Sequence, residues 1–160
     1  MTPIFQSKNI YFIKVTELLI NDYLEMVNDI ENVAKYIGGR REPLSAKEEL
    51  DYINSRLKNN SPMFSMLEKQ SGKLIGNIEI MDINNGCGEL GIAITSKMQG
   101  KGYGSEALKR ITEYAFESLG LTKIYLKVYP WNKKAIHVYK KCGFRQYNSD
   151  ENNIYMEITS

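Results

Sequence analysis

The segment that most constrains this chain is a glycine-rich turn, Gln99-Gly100-Lys101-Gly102-Tyr103-Gly104-Ser105. An apolar, strand-like run that ends at Ile94 precedes the turn, and a helix-like run from Glu106 to Leu119 follows it. Glycines at alternate positions allow unusual backbone dihedral angles and let a ligand approach the main-chain N–H groups closely. The turn opens into a predicted helix N-terminus, where free N–H groups and the helix dipole favour an anion. The pattern therefore predicts a cradle for a pyrophosphate group.

The spacing of these glycines differs from the two best-known phosphate-binding loops. A P-loop requires G-x-x-x-x-G-K followed by Ser or Thr, and the chain contains no such run. A dinucleotide fingerprint requires G-x-G-x-x-G near a first βαβ unit, whereas these glycines follow G-x-G-x-G late in the chain. A flexible connection that binds nothing remains the alternative interpretation of the turn taken alone.

Charge is distributed unevenly around this turn. Residues 97–145 contain 11 Lys and Arg against 3 Asp and Glu, a net charge of +8, whereas the rest of the chain carries −6. An excess of cations around the glycine turn suits a small polyanionic ligand. Nucleic acid is the competing partner, but the chain lacks a dense arginine–aromatic pattern and any helix-turn-helix or zinc-finger signature, so none is expected.

Composition and length restrict the remaining possibilities. With 160 residues, 42% hydrophobic and 25% charged, the chain suits one globular domain over residues 1–160. It has neither an apolar run near the ~20 residues of a membrane span nor a signal-peptide pattern at its start. Cys87 and Cys142 lack metal-ligand spacing, and His137 is the single histidine. We therefore expect a cytoplasmic protein with reduced thiols, no metal and no membrane contact.

The periodicity of apolar residues predicts alternating strands and helices. A strand is expected over 8–15, and one amphipathic helix from Leu19 through Ile37 that ends at Gly38-Gly39. Ser45 and Glu48 form a capping box for a second helix, on which Leu50, Ile53 and Leu57 share one face. The remaining expected elements are strands near 63–69, 73–82 and 87–95, a helix over 106–119, a strand over 123–129, a helix over 132–141, and strands over 144–147 and 154–158. This order indicates an α+β fold with a mostly antiparallel sheet of about seven strands and helices on both faces.

Two motifs together resemble one known family. Gln99-x-x-Gly102-x-Gly104 resembles the acyl-CoA pyrophosphate motif of the GNAT superfamily of N-acetyltransferases, and the run Asn132–Phe144 resembles its second signature, N-x-x-A-x-x-x-Y-x-x-x-G-F. Residues 74–80 and 88–94 resemble strands of the RimJ and RimL branch of ribosomal-protein N-acetyltransferases, which also includes spermidine acetyltransferases. The resemblance covers about residues 8–158, and the short interval between Phe144 and Tyr155 departs from many RimL-like members.

The resemblance implies acetyl-CoA as co-substrate and a central sheet split by a bulge near residues 89–95. Backbone groups of the bulged strand would pair with the pantetheine arm, and main-chain amides of the glycine turn would hold the pyrophosphate. Lys101 would be a secondary contact, with an exposed loop cation as the alternative. Asn132 would contact pantetheine and also suits a helix N-cap. The expected cofactor-binding residues are Ile92, Ala93, Ile94, Gln99, Gly100, Lys101, Gly102, Tyr103, Gly104, Ser105 and Asn132.

The same resemblance suggests catalytic roles for three residues. Tyr139 is the candidate general acid, because a phenol with pKa near ~10 can protonate a departing thiolate; a core tyrosine is the alternative. Glu89 and Glu79 each interrupt an apolar strand, so each is expected on the open face of the sheet, where a carboxylate could accept the amine proton through water. A cationic amine could instead be held there, or each could be an ordinary exposed strand residue.

The acceptor is the least determined part of the reaction. The net negative charge outside residues 97–145 favours a cationic acceptor, either a small polyamine or amino compound or a protein N-terminus. Direct attack by a primary amine on acetyl-CoA in a ternary complex is the expected reaction. A non-catalytic acyl-CoA-binding regulator on the same fold remains the alternative, and a homodimer is left open.

Overall fold

The computed structural model describes residues 1–39 and 42–160 of the chain. The helices are α1 (Ile20–Val27), α2 (Ala46–Lys58), α3 (Tyr103–Glu117) and α4 (Lys133–Lys141). The strands are β1 (Phe5–Gln6), β2 (Ile10–Lys14), β3 (Met63–Glu68), β4 (Leu74–Asn84), β5 (Cys87–Ile94), β6 (Lys123–Val128), β7 (Arg145–Ser149) and β8 (Ile154–Thr159). Short 3₁₀ turns at Glu17–Leu19, Ala34–Tyr36 and Ser96–Met98 complete the described elements.

The strands form an open sheet in the order β1-β2-β3-β4-β5-β6-β8-β7. Every pairing with a recorded register is antiparallel except that of β5 with β6, which is parallel. The α+β class and the mostly antiparallel sheet are therefore confirmed. The described residues form eight strands instead of about seven, because the two-residue β1 pairs with β2. So short a strand carries no periodicity that the sequence could reveal.

The chain divides into two compact units. The first contains Met1–Glu79 and Ile92–Tyr103, and the second contains Ile80–Gly91 and Gly104–Ser160. The expectation of one domain over residues 1–160 remains a prediction. None of the helices in the described ranges has the length and apolar character needed to cross a lipid bilayer.

The long first helix expected from Leu19 to Ile37 is wrong, because α1 ends at Val27. Asn28 leaves the helix and forms two hydrogen bonds with the backbone of Leu44, at 2.8 and 3.0 Å. The carboxylate of the next residue, Asp29, then accepts hydrogen bonds from the backbone and side chain of Asn32. Asn and Asp side chains compete with helical hydrogen bonding in this way, so the apolar spacing continues although the helix does not.

The second helix begins as predicted. The Ser45 hydroxyl accepts from the Glu48 backbone N–H, and the Glu48 carboxylate accepts from that of Ser45, both at 3.1 Å. Its buried face differs in part from the prediction, because Ile53 is buried but Leu57 is exposed. The turn before the helix is therefore predictable from local chemistry, whereas its orientation depends on tertiary packing.

A chain of polar groups crosses the core of the first unit. The Tyr23 hydroxyl and Ser65 Oγ lie 2.5 Å apart, and Ser65 Oγ donates to Asn77 Oδ1 at 2.8 Å. The backbone N–H of Thr16 donates to the same Tyr23 hydroxyl at 3.1 Å. Burial raises the pKa of Tyr23, so this phenol remains neutral at physiological pH. Hydrogen bonding within the chain compensates the cost of burying these groups among apolar residues.

Candidate functional site

The glycine turn has the backbone conformation that its sequence requires at two of its three glycines. Gly100 and Gly102 adopt positive φ angles of 73° and 86°, and a Cβ atom at either would meet nothing within 4 Å. Gly104 instead lies in the first turn of α3, and Ser105 follows it in the same helix. The turn therefore exposes an open backbone surface immediately before a 15-residue helix. Such a surface suits an anionic group held by main-chain N–H donors.

The Gln99 side chain fixes the start of the turn. Its Nε2 donates to the Ile94 carbonyl at 2.9 Å and to the Asn32 carbonyl at 3.0 Å. The amide therefore joins the end of β5 to the segment that follows α1. Its two hydrogens are committed to these carbonyls, so any contact of Gln99 with a phosphate would use the backbone, as the sequence predicts.

A second side chain fixes the other end of the turn. The Tyr103 hydroxyl donates a hydrogen bond to Glu68 Oε2 at the end of β3, and the Ser71 hydroxyl donates to Glu68 Oε1 at 2.6 Å. The hydrogen bonds from Ser71 and Tyr103 hold the pKa of Glu68 below its usual value, assisted by the positive charges of Lys101 and Lys73. Sequence reasoning missed Glu68, because no local pattern relates it to a turn about thirty-five residues later.

The strand segment Ile92–Ile94 lies unusually close to β4. A Cβ atom at Gly76 would lie 1.9 Å from the Ala93 carbonyl oxygen, so only glycine fits there. The Thr95 N–H donates to the Ile75 carbonyl at 2.9 Å and holds the end of β5. The isolated glycine inside an apolar strand was an available signal, because such glycines often mark a close backbone approach.

Glu79 lies against α2, not on an open face of the sheet as expected. Tyr52 donates to its carboxylate at 2.6 Å, and Arg56 Nε lies 3.5 Å from the other oxygen. Only 26% of the Arg56 side chain and 14% of the Glu79 side chain are exposed. Burial and the hydrogen bond to Glu79 raise the pKa of Tyr52 to about 12. The carboxylate therefore joins α2 to β4, a contact that strand periodicity could not reveal.

Glu89 lies on β5 in the second unit. Its neighbours Gly88 and Leu90 are buried, whereas Glu89 is half-buried on the opposite side of β5. Parallel pairing aligns it with Tyr125 of β6, the last recorded pair of that ladder. Burial and the Glu89 charge raise the pKa of Tyr125. The residue is therefore only partly shielded from solvent.

The second sequence motif forms α4 and its N-cap. The Asn132 Oδ1 accepts from the Ala135 backbone N–H at 3.3 Å, so the N-cap role predicted for Asn132 is confirmed. Two turns along the helix, the Tyr139 ring meets Phe144 edge-on at 5.8 Å. Burial raises the pKa of Tyr139 to about 12, which keeps its proton in place near neutral pH.

The structure joins some of the predicted site residues directly within each unit. In the first unit, Gln99 contacts the Ile94 carbonyl, and the turn continues through Lys101 to Tyr103. In the second unit, Asn132 and Tyr139 share α4 and its cap. The catalytic and cofactor-binding roles of these residues remain predictions.

Comparison with known proteins identifies the family. The family described as "Acetyltransferase (GNAT) domain" matches residues 9–145. The spermidine N(1)-acetyltransferase of Vibrio cholerae is 33% identical over 125 residues, covering 76% of this chain and 71% of that protein. The protein of the same name from Escherichia coli K12 is 32% identical over 124 residues, covering 76% and 66%. The crystal structure of Vibrio cholerae spermidine N-acetyltransferase in complex with CoA and spermine has a TM-score of 0.85 and 25% identity, covering 96% of each chain.

These similarities agree with the two motifs and with the α+β fold. They favour an enzyme over a non-catalytic acyl-CoA-binding regulator, because the matched family and the relatives are acetyltransferases. They also agree with acetyl-CoA as the co-substrate. The chain therefore belongs to the GNAT family of acetyltransferases and is an acetyl-CoA-dependent N-acetyltransferase.

Proposed function

We propose that the enzyme transfers the acetyl group of acetyl-CoA to a primary amine of a polyamine such as spermidine or spermine. The observation that carries the proposal is the similarity to spermidine acetyltransferases over three quarters of the chain, together with the fold shared with a polyamine-bound relative. A polyamine also satisfies the expectation of a cationic acceptor. A protein N-terminus, the other acceptor considered from the sequence, becomes an outcome of the test.

An acidic segment of the first unit, residues 17–31, supports a polycationic acceptor. Residues 17–31 contain five acidic side chains and no Lys or Arg. These are Glu17, Asp22, Glu25, Asp29 and Glu31. Among the residues that the structure describes, two of these carboxylates form ion pairs, Glu31 with Lys35 at 3.6 Å and Glu25 with Lys97 at 3.9 Å. A local excess of carboxylates raises the concentration of a polycation nearby and steers its approach.

The proposed chemistry is a single displacement through a tetrahedral intermediate. The neutral amine attacks the thioester carbonyl, the new C–N bond forms, and the C–S bond breaks to release CoA thiolate. Tyr139 donates its phenolic proton to that thiolate, and Glu89 accepts the amine proton through water. The proton then returns to the tyrosine oxygen through solvent. A base is needed because a polyamine nitrogen with pKa near ~10.4 is almost entirely protonated at neutral pH.

The co-substrate is proposed to bind through backbone groups more than through side chains. Main-chain amides from Gln99 to Ser105 hold the pyrophosphate, with Lys101 as a secondary cation, and Ile92–Ile94 offer backbone partners to pantetheine. Two features support this assignment. The positive φ angles of Gly100 and Gly102 leave the turn open, and the missing side chain at Gly76 lets the backbone of Ala93 approach β4 closely.

The acceptor is tested by measuring CoA release with a matched series of amines. Spermidine, spermine, butylamine and a peptide with a basic N-terminus are compared at constant ionic strength. We expect kcat/KM for the polyamines to exceed that for butylamine several-fold, since each additional cation near a carboxylate contributes up to about 1 kcal/mol. The advantage should shrink as salt is raised, because exposed charges are screened. Equal values for butylamine, or a clear preference for the peptide, would reject the polyamine proposal.

Charge-neutralising variants sharpen this test. The double variant Glu17→Gln/Glu25→Gln removes two carboxylates of the acidic segment, whereas Glu151→Gln removes one exposed carboxylate from the turn between β7 and β8. We expect KM for spermidine to rise in the double variant and to remain constant in the control. A parallel rise in both variants would indicate a general effect of net charge.

Variants of Glu89 and Glu79 distinguish the two candidate bases, because the two side chains have different contacts. We expect Glu89→Gln to lower kcat/KM for spermidine several-fold near neutral pH, because the variant removes the proposed proton acceptor. Glu79→Gln should mainly lower the melting temperature, because it breaks the ion pair that joins Arg56 of α2 to β4. Thermal unfolding and steady-state kinetics of both variants provide the measurement. A fall in kcat/KM in folded Glu79→Gln, with Glu89→Gln unaffected, would transfer the base role to Glu79.

A further inference from the structure

We infer that Glu68 is a positioning residue for acetyl-CoA, acting through its hydrogen bond with Tyr103 at the end of the glycine turn. The inference rests on the proposed binding of the pyrophosphate by this turn and extends it to the β3–β4 hairpin, to which no role has been given. The contact joins two segments of the first unit that are far apart in sequence.

The hairpin presents the Glu68 carboxylate in a fixed orientation. The Glu68 N–H donates to the Lys73 carbonyl at 2.9 Å, and the Gly72 N–H donates to the Glu68 carbonyl at 2.7 Å. The Ser71 hydroxyl holds Oε1, which leaves Oε2 for Tyr103. Both carboxylate oxygens therefore accept hydrogen bonds before any ligand binds. The hydrogen-bonded turn after β3 fixes the position of the oxygen that accepts from Tyr103.

Tyr103 is the residue through which such an anchor can control the turn. It is the first residue of α3 and directly follows Gly102, which has no Cβ atom and can therefore adopt many backbone conformations. The Gln99 side chain anchors the opposite end on the Ile94 and Asn32 carbonyls. With both ends held, the intervening N–H groups lose fewer conformations when the pyrophosphate binds, and the entropic cost of binding falls.

The charge of Glu68 acts against this benefit. A carboxylate near a phosphate-binding turn repels the ligand, although the charges of Lys73 and Lys101 interact with Glu68 and offset that repulsion. Two roles thus predict opposite results. If Glu68 acts as a hydrogen-bond acceptor, its removal weakens acetyl-CoA binding; if its charge is the main effect, its removal strengthens binding. The hydrogen bond has the larger effect.

The test measures the CoA dissociation constant by calorimetry in four variants. Tyr103→Phe removes the donor, Glu68→Ala removes the acceptor, and Glu68→Gln retains an acceptor oxygen without the charge. Tyr155→Phe is the matched control, because its hydroxyl donates to Asp150 at 2.7 Å in an exposed turn of the second unit. We expect Kd to rise about threefold to fivefold in Tyr103→Phe and in Glu68→Ala, on the scale of one net hydrogen bond. Glu68→Gln and Tyr155→Phe should remain within twofold of the original protein.

Two further readouts separate positioning from loss of stability. The loss should appear in KM for acetyl-CoA and not in kcat, and the double variant Tyr103→Phe/Glu68→Ala should bind CoA no more weakly than either single variant. Tighter binding in Glu68→Ala, additive losses in the double variant, or an equal loss in Tyr155→Phe would each overturn the inference. If the original protein does not bind CoA, the proposed function fails instead. The binding measurements require no amine substrate, so they do not depend on which amine is acetylated.

Discussion

Replacement of Tyr139 by Phe is expected to lower kcat about 100-fold while leaving acetyl-CoA affinity nearly intact. The ring and its edge-on contact with Phe144 are retained, so the variant removes only the proton donor. A loss of this size corresponds to about 2.7 kcal/mol of transition-state stabilisation and lies at the lower end of the range for general acid catalysis. Steady-state kinetics at saturating acetyl-CoA, with calorimetric CoA binding, measure the two effects separately.

The control for this variant is Tyr155→Phe, which likewise removes one tyrosine hydroxyl from the second unit. Its kcat should equal that of the original protein. If Tyr139→Phe turns over at the original rate, Tyr139 is a packing residue and water protonates the thiolate. A fall in CoA affinity of the same size as the fall in kcat would instead indicate a binding role.

The pH profile provides an independent check on the same residue. Burial raises the pKa of Tyr139 to about 12, so its phenol remains protonated through the accessible assay range. The rate should therefore increase with pH as the amine becomes neutral, without an alkaline limb from Tyr139 below about pH 10. An alkaline limb near pH 8 that disappears in Tyr139→Phe would contradict this account.

Replacement of Gly102 by Val is expected to weaken acetyl-CoA binding about tenfold or more. Gly102 has a φ angle of 86°, which a β-branched residue rarely adopts, so the turn must change its backbone conformation. The N–H groups that are proposed to meet the pyrophosphate would then be displaced, and one lost charge-assisted contact accounts for a change of this size. The dissociation constant of CoA is measured on protein shown to be folded by circular dichroism.

Gly120→Val is the matched control for this substitution. Gly120 also has a positive φ angle, 70°, and open space around its missing Cβ, but it lies beyond the end of α3. Both variants therefore carry similar backbone strain, and only Gly102→Val should lose CoA affinity. Unchanged affinity in a folded Gly102→Val protein would reject the cradle.

Local chemistry made several elements predictable from the sequence. The Ser45 and Glu48 capping box starts α2, and Asn132 starts α4, because each satisfies backbone N–H groups within a few residues. The glycine turn was predictable for a similar reason, since Gly100 and Gly102 adopt conformations that other residues disfavour. In each case the residues that carry the pattern lie within a few positions of the backbone groups that they affect.

The unpredicted features depend on partners far apart in sequence. The early end of α1 requires Leu44 beside Asn28, and the contact of Glu79 with α2 requires Tyr52 and Arg56. Apolar periodicity contains no information about either pairing, because it reports which face is buried and not what lies against it. The Glu68–Tyr103 contact belongs to the same class, and neither residue is distinctive in its own segment.

The buried polar chain has a consequence for how β3 finds its correct alignment with β4. Both strands are buried on both faces over most of their paired length, so apolar alternation alone would tolerate a slip by one residue. Such a slip would separate Ser65 from Asn77, which are aligned partners in the ladder, and would leave buried hydroxyl and amide groups unsatisfied. The penalty is about 1–3 kcal/mol for each group, so three polar side chains can exclude misaligned hairpins that the surrounding hydrophobic residues would accept.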